Sequence, residues 1–132
     1  MFDNINVSLN TDEIEEGTYA LHFERWLRFF PRAQIHIVNG DNFIVKPWEE
    51  LEKVETFLGL PHELGQDRFI FNTDKGFYCF LGKHGEEMCM ADSKGREHPP
   101  LPPALELKLK DFFRPWNYKF YNQTGVNFGW ER

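Results

Sequence analysis

Cys79-Phe80-Leu81-Gly82-Lys83-His84-Gly85-Glu86-Glu87-Met88-Cys89, closely followed by Ser93-Lys94-Gly95-Arg96-Glu97-His98-Pro99, decides how this chain is read. Two cysteines bracket a short loop that contains glycine. Nine residues lie between Cys79 and Cys89, too many for a CxxC redox pair. Zinc would need further ligands at metal-site spacing, and His22, His36, His62, His84 and His98 are scattered and form no HxxxH set. No metal is therefore expected. A structural disulfide between Cys79 and Cys89 is the leading reading, and two partly buried free thiols are the alternative. A bridge over so short a loop would contribute roughly 2–3 kcal/mol in the chain-entropy account. The turn that follows is cationic and centred on Gly95. Such a turn can point successive backbone N–H groups at an anion. Arg96 would add a two-donor fork and Lys94 a point charge. Taken alone, those four residues read as a solvated turn.

Outward from this stretch the chain alternates element types. Residues 1–16 are polar and acidic, with Asp12, Glu13, Glu15 and Glu16, and read as a weakly anchored lead-in. From Thr18 the pattern becomes helical: Tyr19, Phe23, Trp26, Leu27 and Phe30 share one apolar face, Thr18 is placed to cap it and Pro31 to end it. Arg25, Arg28 and Arg32 form a cationic stripe on the other side, which reads mainly as a solvated face. Gln34-Ile35-His36-Ile37-Val38 reads as a buried strand of a parallel sheet, and Asn39-Gly40-Asp41 as a turn. Pro47 opens a helix with Trp48, Leu51, Val54 and Leu58 as its stripe, and Gly59 stops it. Phe69-Ile70-Phe71 and Phe77-Tyr78-Cys79-Phe80 read as a hairpin around Asn72–Gly76. Prolines 99, 100, 102 and 103 lead to a helix carrying Leu105, Leu109 and Phe112, which Phe113-Arg114-Pro115 is expected to break. A short helix over 117–124 would follow and end at Gly125. One strand between helices cannot complete a parallel sheet, so the pattern reads as the C-terminal portion of a larger α/β domain.

Composition narrows the classes. With 132 residues this is at most one small domain, and 14 Phe, 4 Trp and 4 Tyr argue for a packed fold over disorder. The formal charge of -6 argues against a nucleic-acid binder. No apolar stretch is long enough for a transmembrane helix, and the start at Met1-Phe2-Asp3-Asn4 is too polar for a signal peptide. The sequons at Asn6 (Asn6-Val7-Ser8) and Asn122 (Asn122-Gln123-Thr124) are glycosylation candidates compatible with a secretory route.

Together with Lys75-Gly76-Phe77-Tyr78 before it and Phe112-Phe113-Arg114-Pro115-Trp116-Asn117 after it, the opening stretch resembles the C-terminal part of the heparan sulfate sulfotransferases. The ending Phe128-Gly129-Trp130 and the context Arg96-Glu97-His98-Pro99 favour the glucosamine 3-O-sulfotransferase branch. The likeness covers most of residues 17–130, and residues 17–132 would be the C-terminal part of a P-loop-like sulfotransferase domain. It implies a parallel sheet flanked by helices, with a disulfide-bounded hairpin.

That resemblance implies transfer of a sulfuryl group from 3′-phosphoadenylyl sulfate to the 3-hydroxyl of glucosamine in heparan sulfate, in the Golgi lumen. Lys94, Gly95, Arg96, Glu97 and His98 would line the donor nucleotide, Glu97 through its backbone only, because a carboxylate beside phosphates is unfavourable. The family's Tyr-x-x-His start followed by Trp is matched by Tyr19, His22 and Trp26, which makes Ala20 and Leu21 neighbours of the acceptor saccharide. The family's phosphosulfate loop, catalytic carboxylate and 3′-phosphate ligands have no match here and are expected upstream of Met1. No catalytic residue is assigned within the chain. Two other readings stand beside this one: the heparan sulfate N-sulfotransferase branch, and a non-catalytic disulfide-bonded saccharide-binding protein.

Overall fold

The computed structural model describes residues 11–91 and 99–131, and these fall into two compact units. One unit holds residues up to Ile35 together with those from Pro99 onward, and the other begins at His36.

In the first unit, α1 (Asp12–Glu16) leads into α2 (Tyr19–Leu27), and α5 (Pro103–Thr124) packs on α2. The lead-in expected to be weakly anchored thus ends in a helical turn, tied by His22 Nε2–H donating to the Glu15 carbonyl (3.0 Å). Gly17 joins α1 to α2 directly under the Phe113 ring, where a Cβ would sit 2.8 Å from the ring carbons. Thr18 does not cap α2. Its hydroxyl turns back to the Glu15 carbonyl instead.

The core of this unit is aromatic. Ala20 is fully buried and Phe23 nearly so, and Phe23 meets Phe120 edge-on at 5.6 Å. Phe120 and Phe128 both stack on Trp130, at 5.9 and 4.7 Å. The expected apolar face of α2 is only partly buried: Tyr19, Trp26 and Phe30 remain exposed. Helix α2 also ends at Leu27, before Pro31 is reached.

Helix α5 corrects a second expectation. It runs unbroken through Pro115 for 22 residues. An internal proline costs about 3 kcal/mol by removing one N–H and crowding the preceding turn. Here both halves of the helix carry buried or half-buried aromatics, Phe112 and Phe113 before Pro115 and Phe120 and Tyr121 after it, so packing outweighs that cost. Gly125, at φ 75°, ends the helix as expected.

In the second unit, α3 (Gly40–Val45) stands where a turn was expected, with the Asn39 side chain accepting from the N–H groups of Asp41 and Asn42. Helix α4 (Pro47–Leu58) has the expected bounds, with Pro47 at its first turn and Gly59 in the left-handed region at φ 67°. The residues most deeply buried on α4 are Pro47, Glu50 and Glu55, while Leu58 is exposed.

The hairpin pairs β1 (Phe69–Asn72) with β2 (Phe77–Leu81) in antiparallel register, Ile70 opposite Cys79. A short β3 (Glu87–Met88) adds on the other side of β2. Trp48 of α4 packs edge-on against Tyr78 at 5.3 Å and lies 6.2 Å from Phe69.

The expected parallel strand at Gln34–Val38 is not formed among the described residues. Arg32–Gln34 make a 3₁₀ turn, and the sheet of the described residues is antiparallel throughout. Ile35 nevertheless has φ −121° and ψ 115°, the values of a parallel strand. A strand needs a hydrogen-bonding neighbour, and none of the described strands lies beside this one.

Candidate functional site

The bridge expected between Cys79 and Cys89 is present, with the Cα atoms 4.6 Å apart. Cys79 is buried in the centre of β2, and Cys89 follows β3 directly. The intervening loop is tight because Gly82 lies against Glu86. A Cβ at Gly82 would overlap the Glu86 carboxylate, the Gly82 N–H donates to the Glu86 carbonyl (2.8 Å), and Gly85 takes the left-handed φ of 80°. Both sulfurs are consumed by the bridge. Their nearness to Glu87 therefore leaves one carboxylate, not a set of thiolate ligands.

Two further contacts hold the chain on either side of Cys89. Asn72 Nδ2 donates to Glu87 Oε1 (2.6 Å). Lys75 Nζ donates to the Met90 carbonyl (3.2 Å). Both donors come from the β1–β2 turn. That turn is closed by Asn72 itself: its side-chain oxygen accepts the Lys75 N–H (2.9 Å) and its carbonyl accepts the Gly76 N–H (2.9 Å). Asn is favoured at such positions because its short side chain can bond backbone groups a few residues on. Sequence reasoning quoted Asn72 and Lys75 only as turn and flank. The signal was an Asn at the head of a turn three residues before a Lys.

Lys94, Gly95, Arg96, Glu97 and His98 lie outside the described residues, as does Asn6. The described residues run as far as Ala91, three positions before Lys94. Ala20 is fully buried beneath α5, with its carbonyl accepting from Gln123 Nε2 (3.3 Å), so its side chain faces the core and not an open surface. Leu21 is half-buried and lines a cavity of about 400 Å³ with Ile14, Thr18, Phe112 and Trp116. Tyr19 stands at the edge of a second cavity of about 290 Å³, walled by Phe113 and Trp130 with Lys110 and Asn117. Asn122 is exposed on the last turn of α5, while the Thr124 hydroxyl of the same sequon is buried and donates to the Phe120 carbonyl (2.9 Å).

The arginine stripe divides. Arg32 donates to the carbonyls of Ile35 and Thr124, the latter at 3.1 Å, and lies over the Phe23 ring at 5.8 Å. It is a clamp within the first unit. Arg25 and Arg28 stay exposed, Arg25 beside Trp26, Phe29 and Phe30. The hydrogen-bonded Lys119 ammonium and, more weakly, Arg28 hold the Glu24 carboxyl below its usual range.

Residues 6–121 match the model of the family described as "Sulfotransferase domain". The chain is similar to heparan sulfate glucosamine 3-O-sulfotransferase 5 of Mus musculus, with 41% identity across 98% of this chain and 39% of the relative. It is also similar to heparan sulfate glucosamine 3-O-sulfotransferase 6 of Homo sapiens (41%, 86% of this chain, 34% of the relative). The corresponding figures for heparan sulfate glucosamine 3-O-sulfotransferase 3B1 of Mus musculus are 42%, 89% and 31%. The chain thus spans about two fifths or less of the length of these curated relatives. With the match covering most of its residues, the hairpin and bridge included, this chain belongs to the sulfotransferase domain family.

Proposed function

We propose that this chain provides the nucleotide-side turn for transfer of a sulfuryl group from 3′-phosphoadenylyl sulfate to the 3-hydroxyl of glucosamine in heparan sulfate. The observation that carries this reading is the bridged hairpin. A disulfide, a side-chain amide and an ammonium converge on residues 87–90, which end four positions before the cationic Lys94-Gly95-Arg96 sequence. The relatives' names supply the acceptor and the position of sulfation.

In the transfer, the glucosamine 3-oxygen attacks sulfur in line and the bond from sulfur to the nucleotide phosphate oxygen breaks. The hydroxyl proton goes to a base, which no residue of this chain is assigned to be. Arg96 offers two parallel donors to a phosphate, and Lys94 a compact charge. Cations fixed in place before reaction stabilise negative charge on the departing phosphate without having to reorganise. The same reading includes a Golgi location, glycosylation at Asn6 and Asn122, and Leu21 with its cavity beside the acceptor. It also includes a parallel sheet, for which the strand-like backbone of Ile35 is the support. The N-sulfotransferase branch and a donor-free saccharide binder are less favoured, because the relatives named above are all glucosamine 3-O-sulfotransferases.

Calorimetric titration with adenosine 3′,5′-bisphosphate, the desulfated donor, tests the assignment. Arg96→Ala should weaken binding at least about tenfold, since charged hydrogen bonds contribute roughly 1.5–3 kcal/mol. Arg96→Lys should recover part of the loss, because charge returns without the fork. Unchanged affinity in Arg96→Ala would remove the assignment.

A further inference from the structure

We infer that Lys75, oriented by Asn72, is a positioning residue for the donor nucleotide. It touches neither donor nor acceptor and acts by fixing the backbone from which the Lys94–Arg96 turn departs. This inference rests on the reading of that turn as the nucleotide-side element.

The β3 segment is too short to hold the stem unaided. It comprises two residues, paired with β2 only at Phe80–Met88 and Leu81–Glu87. Beyond Met88 the described backbone leaves the ladder. The bridge fixes Cys89 to β2, but a single covalent pin leaves the following residues free to rotate about it. The Lys75 ammonium on the Met90 carbonyl supplies a second point one residue later, and Asn72 on Glu87 supplies one before it. Three pins along four residues define both position and direction of the exit.

Reach makes this consequential. Lys94 is four residues past Met90, and a chain extends at most about 3.3–3.6 Å per residue. Any freedom of the backbone at Met90 is therefore passed on toward Lys94 over at most roughly 14 Å of chain. Without the second pin, the ordering of this backbone would have to occur at the moment of binding, and the nucleotide's affinity would fall accordingly.

Lys75 is itself held. Its backbone N–H is fixed by Asn72 Oδ1, and Gly76, at φ 73°, turns the chain back into β2 immediately after it. The side chain is half-buried, so its reach toward Met90 is constrained by the turn and is not that of a free surface lysine.

The test compares adenosine 3′,5′-bisphosphate affinity for the full chain, Lys75→Met, Lys75→Arg, Asn72→Ala and Arg96→Ala, with thermal midpoints and amide hydrogen exchange at residues 89–91 alongside. Lys75→Met should weaken binding about three- to tenfold and speed exchange at Met90 and Ala91. Lys75→Arg, which keeps a cation in reach of the carbonyl, should restore most of the affinity. A merely structural lysine would lower the midpoint without this selective rescue of affinity. Wild-type affinity in Lys75→Met, with Arg96→Ala clearly weakened, overturns the positioning role and leaves the donor assignment standing. An unaffected Arg96→Ala overturns the donor assignment, and the positioning role with it.

Discussion

Glu50 offers the sharpest quantitative test of how the second unit is held together. It is 2% exposed on α4, and its carboxylate is fully engaged. Oε2 accepts the Asn39 backbone N–H (2.9 Å), and Oε1 accepts Asn42 Nδ2 (2.9 Å) and Lys53 Nζ (2.6 Å). Burial, the largest single influence on this group, pushes its pKa up. Lys53, the Asn39 N–H and the Asn42 amide together outweigh it, and the net shift is downward from 4.5. Glu50→Gln keeps the shape but removes the charge and turns an NH₂ toward groups that can only donate. Loss of one charged hydrogen bond is worth roughly 1.5–3 kcal/mol. Lys53 is 57% exposed and its share is screened by water, so the lower half of that range applies, about 2 kcal/mol.

The pH dependence has a fixed sign. Because the folded pKa lies below the unfolded one, the stabilisation is complete above the ordinary value of 4.5 and is lost as pH falls through the lower folded value. Glu49 and Lys46 neighbour the same cluster, but they are present in both proteins and cancel in the difference. Urea unfolding of wild type and Glu50→Gln at several pH values measures it: a gap of about 2 kcal/mol at pH 7 should narrow below pH 4.5. A gap that stays constant down to pH 3, or equal stability at neutral pH, would show that Glu50 does not act as an ionised hub.

Two further outcomes follow from the same geometry. Replacing both Cys79 and Cys89 with Ser should cost roughly 2–3 kcal/mol by the loop-entropy account for a separation of 10 residues, read as a lowered urea midpoint. If the midpoint of the double variant matches that of the oxidised wild type, the bridge is not a stabilising element. Arg32→Ala should destabilise by about 2 kcal/mol through its lost carbonyl contacts, whereas Arg25→Ala should stay within about 0.5 kcal/mol. Equal effects at the two positions would refute the division of the stripe.

What the sequence disclosed depended on whether the cause was local. Pro47 and Gly59 bound α4 because a fixed φ and a left-handed φ act on the residue itself. The β1–β2 hairpin follows from two aromatic runs around turn residues, and the β2–β3 register, with Phe80 opposite Met88, brings Cys79 beside Cys89. The failures were contextual. Pro115 looks like a break unless the aromatics on both sides of it are known to pack. Asn39-Gly40-Asp41 looks like a turn, yet Asn39 caps a helix whose start is secured by Glu50, eleven residues away. Ile35–Val38 has strand composition, and strand pairing depends on a neighbour outside that segment. The contacts of Asn72 and Lys75 with Glu87 and Met90 were not legible, because they act across 15 residues of sequence.

The polar side chains at issue share a role. Glu50 secures Asn39, and Glu55, also buried, accepts the N–H groups of Glu63 and Leu64. Arg32 secures Ile35 and Thr124, and Asn72 and Lys75 secure Glu87 and Met90. In each case a side chain from one element fixes backbone or a neighbouring residue at an irregular joint. An apolar contact excludes water but leaves direction loosely defined. A hydrogen bond defines direction, and a buried one that is lost leaves an unpaired group. Sulfuryl transfer needs its cations oriented before the charge develops. On the proposed reading, the cations at Lys94 and Arg96 depend on where the chain leaves β3, and the hairpin holds residues 87–90 with one covalent bond and two hydrogen bonds.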